Sequence, residues 1–310
     1  MNIFQSKEWE EFKLATGYQK SYRINDILVL QKNLPLGRTM LYSPLVGSEA
    51  AGIMNNELGI REFSEQVSNL GKSNNSIFYR LELNVPIQDS KFKILNSAFG
   101  FAKSFEEMQP EHTLILNIAS SEEEILSQMK EKGRYNIKIA QRSGLTLKTA
   151  LSSGPELDDF YKLYQLTGKR HGITFRGKNY FATLLDILGK SDLAKLYLAY
   201  HEDTPVAGSI VVDSGDTAIY MFGASNNEFR NLMAPYLLHW QAILDAKAKN
   251  QIKYDFFGIA PDDNPGHPWA GVTRFKKQFG GHQVDILGSF DLIFKPLEYQ
   301  IFKIAEKIRR

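Results

Sequence analysis

The sequence predicts an α/β fold in two domains, on three observations. Segments of period-two apolar alternation and segments with apolar residues three and four apart follow one another along the chain. That alternation restarts at Thr113, after the Gln109-Pro110 loop. Finally, 310 residues with 43% hydrophobic content suffice for two cores of ordinary size. The expected divisions are 1–111, 112–284 and 285–310, the last a C-terminal segment.

In order, residues 6–16 are predicted helical, with Ser6 as N-cap, Trp9 and Phe12 on one face, and Gly17 as terminator. Strands are expected at 27–31 and 39–42, around the turn-rich Asn33-Leu34-Pro35-Leu36-Gly37. A helix over 59–70 and a strand over 77–83 follow. In that strand Arg80 and Glu82 project on one side, as an ion pair, a cleft-facing pair or a solvated face.

From 113 the strand TLILNI leads into Ser121-Glu122-Glu123-Glu124, the spacing of a capping box. The helical stretch behind it is expected to break at Gly133 and end at Gly144. On it Arg134, Lys138 and Arg142 are spaced i, i+4, i+8 on one face. Cations so placed meet phosphate, or simply the negative end of the helix dipole. Next come a strand over 145–150, a helix over 155–169, and a loop from Arg170 to Arg176 with side chains suited to phosphate. Asn179 is the expected cap of the next helix, with Tyr180 in its first turn. Three strands at 194–200, 206–213 and 218–223 are joined by tight turns, then a helix starts at Pro235.

The stretch 254–281, YDFFGIAPDDNPGHPWAGVTRFKKQFGG, passes from a strand through a Pro- and Asp-rich loop to a cationic helix ended by two glycines. A strand end that hands over to such a helix is where α/β folds keep ligands. A desolvated lysine there can serve a developing oxyanion; the alternative is a solvated amphipathic helix with Phe275 inward. Strands at 284–287 and 291–294 and an amphipathic, basic tail helix over 297–310 complete the chain. The tail's apolar row either packs on the first domain or makes a peripheral membrane contact.

Composition removes several function classes. A net charge of +2 implies no nucleic-acid coat, so any polyanion must be met by local basic patches. The absence of cysteine rules out disulfides, thiolate zinc sites and a cysteine acyl-enzyme. There is no HExxH, GxSxG or P-loop pattern, and His239, inside an apolar helix, is expected to be packed rather than a ligand. No metal site is expected. Without a signal pattern or a long apolar run, the expectation is a cytoplasmic protein, at the inner membrane face if the tail helix anchors it.

The element order of the second half is that of GCN5-related acyltransferases, which seat the coenzyme A pyrophosphate on a Gly-rich turn. Here the turn is Arg230-Asn231-Leu232-Met233-Ala234, with Met233 where glycine is needed. The order thus suggests acyl transfer while the turn argues against coenzyme A, and no cofactor is expected.

Four ordered matches are more specific than any single motif: FQSKEWEEFK at 4–13, LILNI with KGRYNIKIAQRSG to 144, RHGITFRGKNYF at 170–181, and FGIAP with WAGVTRFKKQFGG to 281. With these the chain resembles the Fem family of aminoacyl-tRNA-dependent peptidoglycan peptidyltransferases (FemA, FemB and FemX type). The resemblance implies two GCN5-related N-acyltransferase-like domains with a cleft between them, the C-terminal segment returning to the first, and no long coiled-coil arm. It implies an aminoacyl-tRNA donor, a peptidoglycan precursor as acceptor (lipid II or UDP-MurNAc-pentapeptide), and a monomer.

Carried over by residue, Arg176 matches the arginine that holds the precursor diphosphate, with Tyr180 beside it. Lys276, preceded by Phe275, matches the lysine at the acyl-transfer centre. Glu82 falls where the family often has Asp followed by Pro, with Leu83 in place of that proline. Phe222 stands where some members have a cleft tyrosine, and Lys13 lies two residues from where a diphosphate-binding lysine aligns. Arg134, Lys138 and Arg142 are the face assigned to tRNA. Two rivals remain: an acyltransferase acting from another carrier on another amine, and an inactive module that binds anionic envelope precursors.

Overall fold

The computed structural model describes residues 2–48, 57–88, 99–171 and 176–309. Positions 172–175 of the predicted phosphate loop, and Arg310, lie outside them. The strands are β1 (Lys20–Ile24), β2 (Ile27–Leu34), β3 (Arg38–Gly47), β4 (Ser76–Pro86), β5 (Phe101–Lys103), β6 (His112–Asn117), β7 (Leu145–Ala150), β8 (Ala194–His201), β9 (Thr204–Ser214), β10 (Thr217–Ser225), β11 (Lys253–Gly258) and β12 (His282–Ile293). The helices are α1 (Lys7–Ala15), α2 (Glu57–Ser73), α3 (Glu122–Gln128), α4 (Glu131–Arg142), α5 (Pro155–His171), α6 (Lys178–Leu188), α7 (Ala234–Ala248), α8 (Ala270–Lys276) and α9 (Pro296–Arg309). Contacts divide the chain into two compact units, Asn2–Glu111 with Asp285–Arg310, and His112–Val284.

In the first unit Ser6 caps α1 by accepting the Trp9 N–H at 3.1 Å, as its position predicts. The sheet runs β1-β2-β3-β4-β12, with β5 also on β12. Only β3 and β4 are parallel, and α2 lies between them in sequence. It buries Ile60, Phe63 and Val67 in a core with Val29, Leu41, Tyr79 and Leu81. The short, polar β1 and the three-residue β5 gave no sequence signal. A third departure is β12, expected as two strands. It pairs with β4 on both sides of an irregularity at Ile286–Gly288, and Gly288 passes it at φ +70°. The glycine marks a bulge within one strand where two separate strands were expected.

Arg80 and Glu82 are fully buried and do not pair with each other. Arg80 faces Asp291 across the β4–β12 ladder and holds both its carboxylate oxygens, at 2.7 and 2.8 Å. Its third donor reaches Glu106 at 2.6 Å, and Phe78 and Phe105 stand 5.2 Å from its guanidinium carbon. Burial opposes the Arg80 charge, but the bonds to Asp291 and Glu106 outweigh it and hold the group ionised. The Tyr299 hydroxyl of α9 also donates to Asp291 at 2.6 Å, so the C-terminal segment is fastened through this pair.

In the second unit the order is β6-β11-β10-β9-β8-β7, with β10 and β11 parallel and the other pairs antiparallel. Ala207 and Val211 of β9 join the core that includes Trp240 and Ile243 of α7, whereas Gly208 lies against Phe160 of α5. Neighbouring strand residues point to opposite faces, so α7 and α5 cover the two sides. The expected capping box at Ser121 and Glu124 is present. The helix break falls at Met129–Lys130 instead of Gly133. Gly133 lies inside α4 because a Cβ there would sit 2.3 Å from the Gln278 carbonyl oxygen. Gly177 stands at the N-cap of α6, so Asn179 is inside that helix and not its cap.

Removing one partner of a buried, fully bonded pair leaves the others charged and dry. Arg80→Met should therefore destabilise the fold by about 3–5 kcal/mol in denaturant unfolding. A loss near zero would show that Asp291 and Glu106 find other partners.

Candidate active site

The site begins where two parallel strands part. β10 and β11 are in register only from Thr217 to Ile219 against Lys253 to Asp255. Beyond that, β11 loses register against β6 between Asp255 and Gly258, and β10 carries a bulge between Tyr220 and Phe222. On β11 the cause is local. The Asp255 carboxylate accepts the Thr113 hydroxyl and, at 2.7 Å, the Phe257 N–H, while Phe257 sits at φ +59°. A bulky residue in the left-handed region is strained, and such strain collects at functional sites. On β10 the bulge directs Tyr220 toward His239 of α7 and Phe222 toward Phe181 of α6. Gly223 makes this possible, since a Cβ there would lie 1.6 Å from the Tyr220 hydroxyl oxygen.

Lys276, the last residue of α8, enters at the end of β11. It is 6% exposed, and its Nζ donates to the Gly258 carbonyl at 2.6 Å, 5.5 Å from the Tyr220 ring centroid. An ammonium carries three donors, and this is its only hydrogen bond to the described residues. Burial lowers its pKa to about 8, partly opposed by Asp255. His239 is driven to about 3, by burial and then by Lys276, so it is neutral. Its Nδ1 lies 3.0 Å from the Tyr254 hydroxyl, the packed role expected of it. Burial raises the Tyr220 phenol to about 12 and raises Asp255 as well. The site is thus one poised cation among aromatic rings and neutral donors.

The neighbours of Lys276 are of two kinds. Phe275 turns inward against Tyr236, His239 and Phe279, which makes it part of the core. Lys277 turns outward to Asp263 at 2.6 Å. Thr273 anchors the helix, its hydroxyl accepting the Ala260 N–H at 2.8 Å.

A second group lies at the start of α6. The exposed Arg176 guanidinium is 4.4 Å from the Tyr180 ring centroid, and Tyr180 stands edge-on to Phe222 at 6.1 Å. Burial raises the Tyr180 phenol, against the pull of Arg176. On α4, Lys138 and Arg142 are exposed, but Arg134 is half-buried and donates to the Met129 carbonyl at the α3 terminus. The predicted three-cation face is therefore two exposed cations and one engaged in capping.

In the other unit, Lys13 is half-buried with its Nζ 4.9 Å from the Tyr18 ring centroid. Glu82 accepts from Tyr42, from the Gln109 N–H at 2.9 Å and from Ser289 at 3.2 Å. Burial drives its pKa up to about 7 against those bonds. Met233, expected to deny the turn before α7 its left-handed geometry, adopts it at φ +53°. No His, Asp or Glu group among the described residues is arranged to hold a metal ion.

The sequence pattern of the FemAB family matches residues 96–204 and 193–307, more than half of the chain. The chain belongs to the FemAB family. The lipid II:glycine glycyltransferase of Staphylococcus saprophyticus is 23% identical over 97% of this chain and 90% of its own. That alignment spans 383 positions against the 310 residues here, so the relative carries inserted sequence this FemAB protein lacks. The crystal structure of FemX superposes with a TM-score of 0.83 at 20% identity, covering 97% of this chain and 94% of its own. A tandem GNAT protein of the clavulanic acid biosynthesis pathway superposes with 0.54 at 12% identity, covering 86% and 78%. The α/β fold is thus Fem-like and GNAT-like, and no long arm interrupts the described residues.

Tyr220, Asp255 and Thr113 escaped the sequence reading. The signal was a lone aspartate in the apolar strand YDFFG, which a dry strand does not tolerate without partners. The depressed Lys276 pKa has a measurable consequence. Below pH 8 both folded and unfolded chains carry the proton; between about 8 and 10.5 only the unfolded chain keeps it, so stability rises with pH there. Relative to Lys276→Met, the parent should gain about 3 kcal/mol across that window in denaturant titrations. Parallel curves would mean the ammonium is not desolvated.

Proposed function

We propose that this FemAB protein is an aminoacyltransferase that moves an amino acid from aminoacyl-tRNA to the stem-peptide amine of a peptidoglycan precursor. The observation that carries this reading is the buried Lys276 ammonium at the parting of β10 and β11, in a chain of this family. The relative named lipid II:glycine glycyltransferase supports glycine as the transferred residue and lipid II as the acceptor.

The donor is an activated ester, so the protein has to align, exclude water and stabilise charge. The amine attacks the ester carbonyl; the C–N bond forms, the carbonyl oxygen becomes an oxyanion, and the nitrogen becomes cationic. Collapse breaks the C–O bond to the ribose, whose oxygen takes up a proton as the amine loses one. Lys276 donates to the oxyanion with the N–H groups it does not spend on Gly258. Phe275 holds its helix against the core. Arg176 takes the precursor diphosphate, with Tyr180 and Phe222 as the adjoining aromatic wall. Lys138 and Arg142 meet donor phosphates, with Arg134 holding α4 in place. Glu82, expected to meet the substrate, is instead buried and held by Tyr42, Gln109 and Ser289, so it serves the fold of its own unit.

A donor to an oxyanion acts mainly in the transition state, so its loss lowers turnover. Lys276→Ala should lose about a hundredfold or more in kcat while still binding precursor, and Lys277→Ala should match the parent. The parent's kcat should fall as pH rises past about 8, where Lys276 deprotonates. Normal turnover by Lys276→Ala at saturating substrate would place the chemistry elsewhere.

Arginine offers a planar fork that lysine lacks. Arg176→Lys should raise the KM for precursor several-fold and leave that for charged tRNA unchanged. Equal effects on both would remove Arg176 from the diphosphate. A protein that binds precursor but never consumes the ester would be the inactive binding module.

A further inference from the structure

The helix α9 has two apolar faces, and only one is used. Tyr299 and Phe302 pack on Phe78 and Phe105, which fixes the helix to its unit. Leu297, Ile301, Ile304 and Ile308 are 82, 67, 59 and 81% exposed. At 100° per residue these four fall within an arc of about 60°, roughly opposite Tyr299. The expectation that the apolar row packs on the first domain holds for the aromatic residues and fails for this aliphatic stripe.

Charge selects the occupant. The helix acids are already engaged, Glu298 with Arg38 at 2.5 Å and Glu306 with Arg309 at 2.6 Å. Lys307 is exposed, has no ion pair among the described residues and lies about 60° beyond the Ile304 edge of the stripe, whereas Lys303 is half-buried with its Nζ 5.8 Å from the Phe105 ring centroid on the packed side. The Arg38–Glu298 pair also ties this helix to the turn at Pro35–Gly37, where Leu36 is 94% exposed at φ +60°. A rigid aliphatic stripe with the uncompensated Lys307 beside it and an exposed leucine on a tethered turn matches an acyl-chain boundary beneath anionic headgroups. No helix among the described residues is long and apolar enough to cross a membrane, so the contact is peripheral.

We propose that α9 docks the protein on anionic bilayer surfaces through Leu297, Ile301, Ile304 and Ile308, with Lys307 at the headgroups. This holds whichever acceptor the enzyme uses. The test is flotation of the full chain with vesicles of equal parts phosphatidylcholine and phosphatidylglycerol, against phosphatidylcholine alone. The parent should float with the anionic vesicles and weakly with the neutral ones. Ile301→Gln with Ile304→Gln, at solvent-facing positions, should cut binding at least about tenfold with unfolding unchanged. Lys307→Gln should weaken the preference for anionic lipid, and Lys303→Gln, at the cation over Phe105, should leave it unchanged. Failure to float, binding indifferent to the isoleucine pair, or a dimer in sedimentation that this pair dissociates would each overturn the proposal. Activity on a soluble precursor should be unaffected by any of these substitutions, which separates this surface from the reaction centre.

Discussion

An ammonium group kept nearly dry at the end of a parallel strand pair is the constraint on which the second unit depends. Water is the natural partner of a lysine, and withdrawing it costs free energy that must be offset nearby. Here a backbone carbonyl at 2.6 Å, the field of Asp255 and the face of Tyr220 supply the offset. Each of these exists only because a strand has left its regular path. Gly258 turns its carbonyl to Lys276 after the Asp255–Phe257 irregularity, and Tyr220 is aimed by the β10 bulge. A sheet with unbroken register between β10 and β11 would be more regular and would have no place for the cation. Local rules are broken in one small region, as expected where the chain serves chemistry more than stability.

The first unit handles buried charge differently. Arg80 is ionised and enclosed: three of its five N–H donors reach two carboxylates, and two aromatic rings flank it. Its partner Asp291 is 211 residues away in sequence, and Tyr299 adds a further tie from α9. Such a pair specifies that the C-terminal segment pairs with β4 in one register, because a one-residue slip would bury three unmatched charges. Arg80 meets two carboxylates, whereas Lys276 makes one hydrogen bond, to a neutral carbonyl, among the described residues.

What the sequence made legible follows from the range of the forces involved. Caps and turns are local, and Ser6, the Ser121–Glu124 box and the hairpin strands of the second unit were readable from a few residues each. The burial of Lys276 was readable because apolar neighbours and the strand-to-helix handover surround it in sequence. Glycine misled at Gly133, where the reason for glycine is the Gln278 carbonyl packed against the helix and not a helix break. Arg80 was misread because its partners lie in β12 and the 104–106 segment. Tyr220 and Asp255 depend on strand irregularities that no periodicity announces.

Met233 bears on the choice of acyl donor. A methionine at a position that favours glycine argues from sequence that the turn before α7 cannot form, yet Met233 holds φ +53° and its side chain packs against the core. The left-handed backbone is therefore available at the cost of about 1 kcal/mol of strain, and packing offsets it. Backbone shape alone thus does not exclude a pyrophosphate there. The donor has to be inferred from family membership and from a cation placed for ester chemistry. A nucleotide-linked thioester and a ribose ester develop the same oxyanion, so Lys276 would serve either. On the proposed reading, discrimination between donors falls to phosphate contacts away from Lys276, and Lys132, Lys138 and Arg142 are the cations that α4 exposes.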